Sequence, residues 1–128
     1  MNEKKNTDEV WLRHIELGEL LDLYGGLLTE KQQRLLDLTV NADLSLAEVA
    51  EEEGVSRQAV HEAIRRAENS LRRLEEQLSL RSIRHQSQAL LQEMTDALTS
   101  SESEEGKTSR CLALTDRLKQ TLDQLGRS

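Results

Sequence analysis

At 128 residues, 36% hydrophobic and 32% charged, the chain has room for one ordinary domain or a small domain with helical extensions. It has no proline, one Trp, one Tyr and no Phe; Leu and Ala lead its apolar set and Glu, Gln, Arg and Lys its polar set, so an all-α fold is expected. The net charge of −7 argues against nonspecific coating of nucleic acid, and the single Cys111 excludes an internal disulfide and fits a cytosolic compartment.

Residues 1–8 are polar, lack the apolar core of a signal peptide, and are read as a disordered N-terminus. A first helix is predicted from about Asp8 to Tyr24. Val10, Leu17, Leu21 and Tyr24 share one face, with Trp11 and Leu20 beside it. Gly25-Gly26 ends it. Thr29 caps a second helix, Glu30 to about Val40, and Gln32 completes a capping box. Leu35, Leu36 and Leu38 give this helix its apolar side, and Asn41-Ala42-Asp43 reads as a turn.

The next segment carries the most information. Ser45 is a good N-cap, and Glu48 three residues on completes a second capping box. Ala50 is small where two crossing helices must approach. Gly54 supplies a left-handed helix stop, and Val55 is expected to plug the corner. Ser56 caps a further helix that opens with Arg57 and Gln58. Short helix, glycine turn and capped second helix form a helix-turn-helix, which aims helix N-terminal side chains into a DNA major groove. Glu53 departs from the pattern, standing where many such motifs carry an apolar residue. The competing reading is an ordinary helical hairpin. Residues 9–70 are assigned to this helix-turn-helix domain.

The last helix of that domain is expected to run on. Val60, Ile64, Ala67, Leu71, Leu74 and Leu78 repeat at heptad spacing, and neither Gly nor Pro interrupts Ser56 to Leu80. An unbroken helix of about 24 residues would be about 36 Å long. Leu71, Leu74 and Leu78 would then extend beyond the small domain, and a homodimer seam is predicted there. Residues 71–128 are read as a C-terminal helical arm and dimerisation region. In it Ile83, Ser87, Leu90, Met94 and Ala97 share a face, with Leu91 and Leu98 beside it. A polar linker is expected near residues 99–107, and Cys111, Leu114, Leu118, Leu122 and Leu125 form a last stripe. No apolar run approaches the roughly 18–20 residues of a membrane span, so no membrane insertion is expected and the protein is placed in the cytoplasm.

Enzyme signatures are missing. His14, His61 and His85 stand alone, one cysteine cannot build a zinc set, and no glycine-rich phosphate loop is present. No catalytic residue, cofactor or metal is therefore assigned. Glu51-Glu52-Glu53 fans its carboxylates around a helix and reads as a solvated face. Cys111 lies on an apolar stripe as a small core residue.

The exposed side of the Ser56-capped helix is a candidate nucleic-acid surface. Gln58, His61, Glu62 and Arg65 fall within about 100° of arc, opposite Val60, Ile64 and Ala67. Gln can pair with adenine and Arg with guanine. Ser56 and the helix N-terminus can hold a phosphate, and Arg65 and Arg66 can reach the backbone. The candidate binding residues are thus Ser56, Arg57, Gln58, His61, Arg65 and Arg66. Charge reverses sign at the turn: residues 43–53 carry Asp43, Glu48, Glu51, Glu52 and Glu53 and no base, whereas residues 56–73 carry five arginines against Glu62 and Glu68. The plainer reading is the wet side of an amphipathic helix, and Glu62 would repel phosphate. No Phe, Trp or Tyr follows Tyr24, which argues against a base-stacking platform for single strands.

Leu20-Leu21-Asp22-Leu23-Tyr24, Leu27-Leu28-Thr29-Glu30-Lys31-Gln32, Asp43-Leu44-Ser45-Leu46-Ala47-Glu48-Val49-Ala50-Glu51-Glu52 and Val55-Ser56-Arg57-Gln58-Ala59-Val60-His61 resemble, in that order, the YlxM family. That family consists of small bacterial helix-turn-helix proteins and is itself similar to the promoter-reading fourth region of sigma factors. The resemblance covers roughly residues 17–80; residues 81–128 add no recognisable motif. It implies a regulatory, non-enzymatic protein linked to the signal recognition particle pathway. Three functions stay open: a regulator of duplex DNA reading through residues 56–66, an adaptor binding signal recognition particle components, and a structural helical dimer. The charge balance favours the last two; the caps, turn and Arg-Gln pair favour the first.

Overall fold

The computed structural model describes residues 2–125, with side chains from residue 8 onward. Among them are six α-helices and no strand: α1 Asn2–Tyr24, α2 Glu30–Leu36, α3 Leu46–Glu53, α4 Arg57–Leu78, α5 Leu80–Thr99 and α6 Glu104–Leu122. The chain divides into two compact units, Met1–Glu76 and Gln77–Ser128, with the boundary inside α4.

The first unit is built on its caps. Thr29 Oγ1 accepts from the Gln32 amide at 3.2 Å, and the Gln32 side chain returns a bond to the Thr29 amide, so both orphan donors at the start of α2 are satisfied. Ser45 and Glu48 repeat the arrangement at α3. Gly54 ends α3 at φ 69° and ψ 31°, the left-handed conformation its missing Cβ permits. Leu35, Val49, Ala50 and Val60 then close into one buried cluster, with Leu38, Leu44, Ala63 and Ile64 packed around it. This cluster locks α2, α3 and the first turns of α4 together, so α4 is held at its N-terminal end.

α1 lies along α4, and side-chain pairs between the two helices fix the register. Arg13 pairs with Glu68, Arg72 with Glu16, and Tyr24 donates to Glu75 at 2.7 Å. The partners advance together along both helices, so α1 and α4 run in the same sense. Leu17, Leu20, Leu21 and Tyr24 are the buried face of α1.

Several expectations need correction. α1 begins at Asn2, earlier than Asp8. Val10 and Trp11 are both 63% exposed; among the described residues, the side-chain bonds from α1 to α4 begin at Arg13. The second helix keeps α geometry only to Leu36; Asp37–Asn41 forms a π-helical turn, closed by Ala42 N–H donating to Asp37 C=O at 3.1 Å. Val55 does not plug the corner and is 45% exposed. The long helix is not continuous to Leu80. Ser79 takes φ 54°, a left-handed conformation that costs a non-glycine residue about 1–2 kcal/mol, and α5 starts at once after it. Leu71 is fully buried inside its own chain. It sits on α4 among Glu68, Arg72 and Glu75, all of which reach α1, so the burial expected of it between chains is already supplied within one chain.

The second unit is an antiparallel hairpin of α5 and α6. Ile83, Leu90 and Ala97 face Leu114 and Thr121, each set spaced by sevens. The turn between the helices is Ser100 to Ser103, shorter than the linker expected, because Ser103 caps α6 by accepting from Gly106 at 3.1 Å. Leu122 and Leu125 are exposed, at 44% and 46%, and Thr121 takes the buried place beside them.

Candidate nucleic-acid interface

Ser56 sets the start of α4: its Oγ accepts from the Ala59 amide at 3.1 Å, and its carbonyl accepts from the Val60 amide at 3.1 Å. The following turns point Val60 into the cluster at 1% exposure. The helical period then forces Gln58, His61, Glu62 and Arg65 to the opposite side, and all four are exposed. Arg57 is exposed in the first turn, next to the Gly54 corner. Arg57 and Arg65 make no ion pair with any described residue.

Arg66 differs. It lies half a turn from the Arg57 side and is 3.8 Å from Glu62. The structure therefore brings Ser56, Arg57, Gln58, His61 and Arg65 onto one accessible stretch and leaves Arg66 at its margin. Of the leucines assigned to a seam, Leu71 is buried, Leu74 is half-buried and Leu78 is 44% exposed.

Glu53, the residue that departs from the motif pattern, has a specific partner. Arg34 Nε and Nη2 donate to its two carboxylate oxygens at 2.8 and 2.9 Å. The Glu53 side chain is only 17% exposed. A bidentate pair thus ties α2 to the end of α3, and a carboxylate at this position serves the same purpose as an apolar contact.

A second feature escaped the sequence reading. Arg13 of α1 and His61, Arg65 and Arg72 of α4 line one open groove of about 460 Å³, with Glu68 and Asn69. Glu68 is the anchor: Arg13 Nε and Nη2 donate to it at 2.9 and 2.6 Å, and Arg72 Nη2 at 3.4 Å. Burial pushes the Glu68 carboxyl upward, but the bonds and charge of Arg13, followed by Arg72, outweigh it and hold the group below the usual carboxylate range. Only the parallel register of α1 and α4 brings Arg13 here, and one sequence does not reveal that register. Among the described residues, no three of His, Cys, Asp and Glu converge as metal ligands, and no helix is long and apolar enough to cross a membrane.

The capped α3, the left-handed turn and α4 with its outward polar face define a helix-turn-helix protein. Residues 12–111 match the family described as "Putative helix-turn-helix protein, YlxM / p13 like", and the chain belongs to that family. The match runs past residue 80, through α5 and into α6, so the family pattern includes most of the hairpin as well. A UPF0122 protein of Desulforamulus reducens is 46% identical over 90 residues, covering 70% of this chain and 77% of its own. One of Shouchella clausii is 38% identical over 104 residues, covering 81% and 92%. One of Clostridium kluyveri is 54% identical over 66 residues, covering 52% of this chain and 60% of its own length.

Proposed function

We propose that the protein is a non-enzymatic cytoplasmic regulator that binds double-helical nucleic acid through the N-terminal half of α4. The observation that carries this reading is the position of Arg57 and Arg65. They stand exposed, with no ion pair to any described residue, beside Gln58 and His61, directly after a cap and turn of helix-turn-helix type. In a chain of net charge −7, two arginines without carboxylate partners among the described residues, on one helix face, are a local site for phosphate or a guanine edge. The reading also takes the working form to be a two-fold dimer, since paired helix-turn-helix units match paired half-sites. Leu78, exposed at the end of α4, is the first residue to test for that pairing.

Retention on immobilised duplex DNA tests the reading, with a structured RNA column as the second arm. The resemblance to proteins linked to the signal recognition particle makes that particle's RNA the appropriate choice. Wild type should be retained at low salt and released as salt rises. Arg57→Ala/Gln58→Ala should elute at lower salt. Co-elution of wild type and variant in the unbound fraction of both columns would refute the reading.

A further inference from the structure

We infer that the nucleic-acid surface extends from the outward face of α4 into the α1–α4 groove, where Arg65 and Arg13 hold a backbone phosphate. The inference rests on the function proposed above and adds a residue from a different helix. His61, Arg65, Glu68 and Arg72 follow one another along α4 at spacings of three and four, with Asn69 next to Glu68, so the groove continues the candidate reading face without a break. Arg65 stands at the junction of the two, exposed and without an ion pair among the described residues. Across the groove, Arg13 gives Glu68 one edge of its guanidinium, through Nε and Nη2. Its side chain is still 62% exposed. The remaining N–H groups, including both on Nη1, are unused by Glu68 and available to an acceptor.

Glu68 has a double role in this arrangement. It is 8% exposed and fixes the Arg13 fork rather than leaving it to sample many rotamers. It also contributes one negative charge to the groove. A phosphate diester suits the geometry because it presents two acceptor oxygens to two guanidiniums approaching from different helices. Such a contact sets register on the duplex and carries no sequence information. Sequence preference would then come from Arg57 and Gln58, and affinity in part from Arg13.

Fluorescence anisotropy with one duplex bound by wild type, titrated with salt, tests the inference. Arg13→Ala should weaken binding about three- to tenfold at low salt, equally for unrelated sequences, and reduce the magnitude of the log–log salt slope by about 0.9. Arg13→Lys should restore most of the slope, which separates lost charge from lost structure. Glu68→Gln keeps an acceptor for Arg13 and removes the charge; it should tighten binding about threefold at low salt, the effect of one unit charge some 7 Å away in water. If Arg13→Ala binds with wild-type affinity and slope while Arg57→Ala/Gln58→Ala loses affinity, the groove takes no phosphate and this inference fails alone. If wild type binds neither duplex DNA nor structured RNA, the underlying function fails. Equal losses for Arg13→Ala and Arg13→Lys would assign Arg13 a purely structural role and overturn the phosphate contact.

Discussion

Gly54 and Gly26 offer a controlled test of what holds the helix-turn-helix corner. A Cβ built on either residue meets no atom within 4 Å, so alanine fits sterically at both. They differ in backbone: Gly54 has φ 69°, whereas Gly26 lies outside the left-handed region. Alanine in the left-handed region costs about 1–2 kcal/mol. At either position it also reduces the freedom of the unfolded chain, which stabilises by about 0.4–1 kcal/mol. Gly26→Ala should therefore be neutral to stabilising, and Gly54→Ala should be destabilising by about 0.5–1 kcal/mol. Urea unfolding followed by circular dichroism at 222 nm measures the difference. With a slope of about 1–1.5 kcal/mol per molar urea for a small unit, the two midpoints should differ by about 1 M. Coincident midpoints would mean that the corner does not depend on the left-handed residue, and the account of how α4 is aimed would be wrong.

Leu35→Ala should cost about 2–5 kcal/mol in the same assay, because Leu35 is 1% exposed at the centre of the cluster joining α2, α3 and α4. A loss below 1 kcal/mol would show that this cluster does not hold α4. Glu68 predicts a pH dependence. Its carboxyl titrates lower when folded than when unfolded, so its stabilising effect is complete above the ordinary carboxylate range, about pH 4.3, and is lost as pH falls through the depressed folded value. The stability gap between wild type and Glu68→Gln should therefore narrow between about pH 5 and pH 3; a constant gap would exclude the charged pair as its source. For the proposed dimer, sedimentation equilibrium at micromolar concentration should give twice the chain mass for wild type and one chain mass for Leu78→Glu. A single-chain mass for wild type removes the dimer from the account.

The helix-turn-helix was legible because its signals are local. Caps at Thr29, Ser45 and Ser56 and the stop at Gly54 each rest on residues three or fewer positions apart, and all four stand where the sequence placed them. The sevens of Ile83, Leu90 and Ala97 likewise identified the inner face of α5. What stayed hidden depended on long-range partners or on an atypical residue. The break at Ser79 carries neither Gly nor Pro. The burial of Leu71 depends on α1 lying alongside α4, fifty or more residues away in sequence. Glu53 looked misplaced until Arg34 supplied its partner from α2. Arg13 gave no sign of its place in a groove, since only the α1–α4 register puts it there.

The central claim is that the N-terminal half of α4 meets the double helix, and amide chemical-shift mapping during titration with a short duplex tests it most directly. The account predicts that shifts concentrate on Gly54 to Arg66, continue weakly to Arg13 and Arg72, and leave the α5–α6 hairpin unmoved. Shifts confined to α5 and α6, with Ser56 to Arg65 unchanged, would contradict it.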